Sequence, residues 1–126
     1  MLRFHQAAIE SAIQNALSVV TYSLRVEQSS RETESIEGEL IFAEGVRLSF
    51  FEFWRRFPAG NEREKYRFHC MDADNHLVFR YDNAPHHEHI KTFPHHKHLP
   101  SGISESMPPS FVDVLAEVEA YVLGVP

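Results

Sequence analysis

Cysteine occurs once in the 126-residue chain, at Cys70. That excludes an internal disulfide and predicts a reducing compartment. Long apolar runs are missing too. None approaches the roughly 18 residues of a membrane span, and the N-terminus lacks the basic start and apolar core of a signal peptide. The expected location is the cytoplasm, with no membrane partner. Positive charge is in deficit: 12 Lys+Arg against 18 Asp+Glu leave a formal charge of −6. Such a chain does not bind nucleic acid indiscriminately, although a local cationic patch can still do so. No linker or low-complexity tract interrupts the sequence, so residues 1–126 are expected to form one domain.

What the chain has in excess is histidine. Six of its nine histidines fall between His86 and His98, in two copies of Pro-His-His-x-His that begin at Pro85 and Pro94. Imidazole gives and takes protons near neutrality, and its neutral form ligates metals.

Around that stretch the patterning is regular. Residues 4–17 predict an amphipathic helix, with Ile9, Ile13 and Leu17 as its core stripe and His5 outside it, exposed. From Val19 the period becomes two, through Val20, Tyr22, Leu24 and Val26, which predicts a strand. Polar residues 28–35 form a turn or hairpin tip. A second strand covers Ile36–Ala43 and a third Val46–Arg55, joined by a tight turn at Glu44-Gly45. The third strand is apolar on both faces (Phe50, Phe51, Phe53, Trp54), so it is expected to be central; Pro58 to Asn61 breaks it. Two further strands follow, one through Tyr66, Phe68 and Cys70 and one through Leu77, Phe79 and Tyr81. After Asn83 the pattern stops until Pro108-Pro109-Ser110 introduces a helix with the stripe Phe111, Val114, Leu115, Val118 and Val122. Ser110 with Asp113 is its start signal and Gly124 its stop.

Charge selects a register for the last hairpin. Closing it on Asp74-Asn75 pairs Cys70 with Phe79 and Phe68 with Tyr81 on one face. On the other face His69 meets Arg80, and Arg67 meets Asp82. Slipping the turn to Ala73-Asp74 would oppose Arg67 to Arg80, a repulsive pair. Docking the third strand with Phe51 and Phe53 beside Phe68 and Cys70 then puts Glu52 near His69. The polar back of the sheet becomes Glu52, Arg67, His69, Arg80 and Asp82, with Trp54 beside it.

Three readings of these residues stay open. One is metal: in an extended segment His87 with His89, and His96 with His98, share a face and can chelate. The fuller ligand set would be His86, His87, His95, His96 and His98, holding a transition metal such as zinc. A second is acid–base cleavage of a phosphodiester with no cofactor, in which His69, His96 and His98 carry protons and Arg67, Arg80 or Lys97 holds the phosphate. In the third, the opposite charges are a surface ladder without function and the histidines pack an irregular loop.

Residues 65–98, KYRFHCMDADNHLVFRYDNAPHHEHIKTFPHHKH, resemble the TumE-type toxins of toxin–antitoxin modules. The likeness is most specific from Phe79 onward, in Phe-Arg-Tyr-Asp-Asn-Ala-Pro-His-His and Thr-Phe-Pro-His-His-Lys-His. Asn75 stands where the family usually has Gly, and Cys70 where an aromatic is common. The resemblance implies a small cytoplasmic growth inhibitor encoded beside an antitoxin, often one with a helix-turn-helix domain; it does not supply a chemistry, and an RNA-cleaving role is an inference from the toxin context. Glu52, His69, Arg80, Asp82, Asn83, His86, His87, His95, His96, Lys97 and His98 fall on the motif; His89 does not.

The expected fold is α+β: an N-terminal helix, an antiparallel meander of about five strands, a histidine-rich loop and a C-terminal helix. The expected function is that of a toxin acting on RNA. Glu52, His69, Arg80, His96 and His98 would be catalytic, and Arg67, Asp82, Asn83 and Lys97 would bind substrate. The alternatives are a growth-inhibiting binding protein without catalysis and a histidine-rich metal-binding regulator.

Overall fold

The computed structural model describes residues 2–125. Its elements run α1 (Arg3–Gln14), β1 (Val19–Gln28), β2 (Thr33–Phe42), β3 (Arg47–Phe57), β4 (Gly60–Met71), β5 (Leu77–Asp82), β6 (His96–Leu99), β7 (Gly102–Glu105) and α2 (Phe111–Leu123). The strands form one antiparallel sheet in chain order, β1 to β7. Hairpins alone can connect such a meander. The class, the flanking helices and the central third strand agree with the sequence reading. The strand number does not: the sheet has seven strands, because β6 and β7 lie in the stretch expected to be irregular. His96-Lys97-His98-Leu99 carries no apolar alternation to announce a strand, and pairing with β5 holds it extended.

Both helices pack on one face of the sheet. Ile9 and Ile13 of α1 and Phe111, Val114, Leu115 and Val118 of α2 are buried with Leu40, Leu48, Phe50, Phe68, Cys70 and Phe79 in a single core. The Phe111 and Phe50 rings lie 4.9 Å apart. Leu17, expected in the stripe, is 97 % exposed. The helix ends at Gln14, and the turn into β1 carries Leu17 off its face. α2 starts and stops where its caps predict. Ser110 and Asp113 exchange side chain-to-backbone hydrogen bonds, both 3.1 Å, and Gly124 closes the helix at φ 68°.

The β4–β5 register is the one charge selected: Arg67 opposite Asp82, Phe68 opposite Tyr81, His69 opposite Arg80, Cys70 opposite Phe79. The turn itself is wider than a two-residue loop. A bulge between Cys70 and Met71 sets Met71 against Leu77, and Asp72 closes the loop by accepting from the Asp74 and His76 amides, each at 2.9 Å. Only Asn75 takes the left-handed conformation, at φ 66°.

β3 docks with the opposite parity from that expected. Phe50 faces Phe68, Leu48 faces Cys70, Ser49 faces His69 and Glu52 faces Tyr66. A one-residue change of parity moves every side chain to the other face, so Glu52 lies on the helix side, away from His69. Because β3 is apolar on both sides, its own pattern did not choose between them.

Gly38 in β2 marks a close approach. A Cβ there would stand 2.6 Å from Leu24 Cδ2, 2.6 Å from the Ser23 carbonyl and 2.8 Å from Phe50 Cε1. Gly38→Ala is expected to destabilise the fold by about 1–3 kcal/mol through overpacking, measured by urea denaturation. Unchanged stability would mean that β1 and β2 separate freely.

Candidate functional site

Alternation along β4, β5 and β6 brings polar side chains together on the face that the helices leave uncovered. His98 stands opposite Arg80 and His96 opposite Asp82; Arg80 in turn faces His69, and Asp82 faces Arg67. His96 and His98 thus reach the polar face by strand pairing rather than by a loop folded back over the sheet. Asp82 is the hub. Its Oδ2 accepts from Arg80 Nε at 2.9 Å and its Oδ1 from the Ala84 amide at 3.0 Å. His96 Nε2 lies 3.0 Å from Oδ1 and His98 Nε2 3.6 Å from Oδ2. Arg80 Nη1 is 3.4 Å from His69 Nδ1. From the loop after β5, His87 brings its ring to 5.2 Å from that of His96 and 5.8 Å from that of His98. His96 and Asp82 are buried, whereas His69, Arg80, His87 and His98 are partly open to solvent.

The electrostatics follow from this packing. Burial would raise the Asp82 carboxyl, but Arg80, the Ala84 amide and His96 hold it below the usual carboxylate range. Burial lowers His69, and Arg80, Arg67 and His98 push it further down. Burial likewise lowers His98; Asp82 opposes this, while His96, Arg80 and His87 add to it. At neutral pH the face therefore presents an ionised carboxylate beneath two neutral imidazoles and beside a guanidinium.

A second polar centre occupies the helix side of the sheet. A cavity of about 490 Å³ is lined by His5, Glu52, Trp54, Arg63, Tyr66, His95 and the residues that lead into α2. Glu52 is fully buried. It accepts from His5 Nε2 at 2.6 Å, Arg63 Nη1 at 2.8 Å and Trp54 Nε1 at 3.4 Å. Arg63 Nη2 also donates to the Pro109 carbonyl at 2.6 Å, and its guanidinium lies 4.3 Å from the Tyr66 ring centre. The Tyr66 hydroxyl is hydrogen-bonded to His95 Nδ1 at 3.0 Å. Burial would raise Glu52, yet His5 and Arg63 keep it below the ordinary carboxylate value. Burial lowers His95, helped by Arg63 and His96.

The residues singled out from the sequence thus divide. His69, Arg80, Asp82, His96, His98 and Arg67 share the open face. Glu52 sits in the cavity with His5, which was expected to be merely exposed, and with Arg63, which sequence reasoning missed. Arg63 precedes the part of β4 with clear alternation, and a lone Arg in Glu62-Arg-Glu-Lys65 gives no signal of burial. Lys97 points towards α2, where Nζ donates to Glu117 Oε2 at 2.7 Å and Tyr81 donates to Oε1 at 2.6 Å. Asn83 continues the sheet with its side chain, accepting from the Tyr66 amide at 3.0 Å and donating to the Glu64 carbonyl at 2.9 Å. Of the fuller metal-ligand set, His87, His96 and His98 converge. His95 turns to the cavity, and His86, like His89, is exposed.

An open antiparallel meander with both helices on one face, and histidine, arginine and aspartate gathered on the other, defines an α+β protein whose open face carries proton donors, acceptors and cations. The chain belongs to the Toxin TumE family, whose model matches residues 9–124. It is a toxin component of a toxin–antitoxin system, and an antitoxin is its implied partner. Comparison with curated proteins and with solved structures found no match. Among the described residues no helix is long and apolar enough to cross a membrane.

Proposed function

We propose that this toxin cuts RNA on the open sheet face by metal-independent acid–base chemistry. The observation that carries the reading is the placement of His98 and His69 on either side of Arg80, with Asp82 fixing the guanidinium. One neutral imidazole takes the proton of a 2′-hydroxyl, whose oxygen attacks the adjacent phosphorus. The other, as imidazolium, protonates the departing 5′-oxygen. The products are a 2′,3′-cyclic phosphate and a free 5′-hydroxyl, so one proton is taken up and one released. Arg80 and Arg67 stabilise the charge that develops on the phosphoryl oxygens. Asp82 and His96 act as positioning residues. Phe51 and Phe53, opposite Arg67 and Lys65 on the same face, offer rings on which bases can stack. These cations oppose the net charge of −6 only locally, which suits selective rather than indiscriminate binding. The same reading expects action in the cytoplasm, beside an antitoxin that carries a helix-turn-helix domain.

The test is cleavage of a defined RNA oligonucleotide by purified protein, with and without EDTA. Cyclic-phosphate ends should form at a rate that chelator does not reduce. The pH profile should be bell-shaped. His69 and His98 both titrate below free imidazole, so the base stays neutral further into acid and the acid loses its proton sooner. Both limbs therefore shift down, and the optimum lies below the ordinary imidazole value of about 6.5. Cleavage abolished by EDTA would overturn the metal-independent mechanism. Growth inhibition by a protein that cuts no RNA would favour a non-catalytic binder.

A further inference from the structure

Three imidazoles converge at the buried end of the open face, more than proton transfer requires. We propose that His87, His96 and His98 form a transition-metal site of the zinc class, and that a bound metal silences the acid–base chemistry by occupying His98. The first half stands on geometry alone; the second rests on the acid–base reading above.

One ring nitrogen from each of the three residues lies within 4.8 Å of the other two. Zinc–nitrogen bonds of about 2.0–2.1 Å set tetrahedral nitrogens roughly 3.4 Å apart, so side-chain rotation of about an ångström closes the set. The ring of His96 is already oriented. Its Nδ1 lies 2.9 Å from the Pro94 carbonyl, an acceptor only, and therefore carries a proton. Its Nε2 faces Asp82 Oδ1, 3.0 Å away. An imidazole nitrogen and a carboxylate oxygen at that distance need a cation between them, and a metal that displaces the Nε2 proton can take that place. A carbonyl acceptor behind a ligating imidazole is the support such ligands ordinarily have.

Asp82 contributes the negative charge beside the site, with its second oxygen 3.6 Å from His98 Nε2. His96 and His98 are two apart on β6 and share a face, as a chelating strand pair must. The third ligand comes from the loop: His87 sits at φ 61°, a left-handed conformation that a non-glycine residue adopts only at a cost. All three ligands are imidazoles, which suit zinc, cobalt, nickel and copper rather than magnesium or calcium.

Protein stripped with chelator and titrated with Co²⁺ should take up one equivalent and develop the visible absorption of tetrahedral cobalt, which Zn²⁺ should discharge. His87→Ala should lose the band, whereas His89→Ala, outside the triad, should keep it. Circular dichroism of both variants confirms that they are folded. Zinc should inhibit RNA cleavage by the parent protein. His87→Ala should still cleave RNA, with its pH optimum moved up because a neighbour that lowers His98 has gone, and should no longer respond to zinc. Absence of saturable cobalt uptake by the parent, or an unchanged band in folded His87→Ala, overturns the site. Cobalt binding by a protein that cuts no RNA keeps the metal site and removes the acid–base reading. Cleavage that zinc does not affect, in a protein that binds it, refutes the silencing.

Discussion

His98→Ala and Arg80→Ala are each expected to lower RNA cleavage about 10²–10⁴-fold, the range for losing a positioned proton carrier or a charge-stabilising donor. Growth inhibition should fall in parallel. The two variants fail for different reasons, which makes them a stringent pair. His98 is partly exposed at the end of the β5–β6 ladder, so its removal deletes a proton carrier and leaves the sheet intact. Arg80 bridges Asp82 and His69, so its loss removes the phosphate's cation and frees Asp82 to turn towards His96 and His98. The pH profile separates the two. His98→Ala should lose one limb of the bell. Arg80→Ala should keep both limbs, with His69 and His98 moved up because a neighbouring positive charge has gone. Arg80→Lys keeps the charge but not the planar fork and should recover part of the rate. Full toxicity in both alanine variants would remove this face from consideration as the site.

Glu52→Ala should lower folding stability by roughly 3–5 kcal/mol, the cost of breaking a buried ion pair and leaving its partners uncompensated. Glu52 is wholly buried, and through it three elements are tied to β3. His5 belongs to α1, Arg63 to β4, and Arg63 in turn holds the Pro109 carbonyl at the entrance to α2. The pH dependence carries a definite sign. The folded-state pKa is below the ordinary carboxylate value, so the stabilisation is complete above the unfolded value of about 4.3 and is lost as pH falls through the folded one. The parent should therefore lose stability to acid more steeply than Glu52→Gln does, a comparison made by urea denaturation at neutral pH and near pH 3. A loss below about 1 kcal/mol for Glu52→Ala would show that the helices are held by apolar packing alone. Removal of RNA cleavage from a fully folded Glu52→Gln protein would move the proton chemistry into the cavity.

The sequence by itself determined the elements whose signals are local. Capping residues set the ends of α2, and paired hydrogen bonds between Ser110 and Asp113 realise them. The β4–β5 register was legible because one alignment matches Arg67 with Asp82 and the other sets like charges opposite, a difference that exists before any third strand arrives. The histidines were legible as a composition, and their motif as a family resemblance. Which face each functional group joins was decided only by the tertiary structure. β3 is apolar on both sides, so nothing in its own pattern could choose the side for Glu52; core packing of Leu48 and Phe50 under the helices did. Consecutive residues His95, His96 and Lys97 go to the cavity, the open face and α2 respectively. Strand geometry sends neighbours to opposite faces, and a run of polar residues does not reveal which face is which until β5 pairs with it.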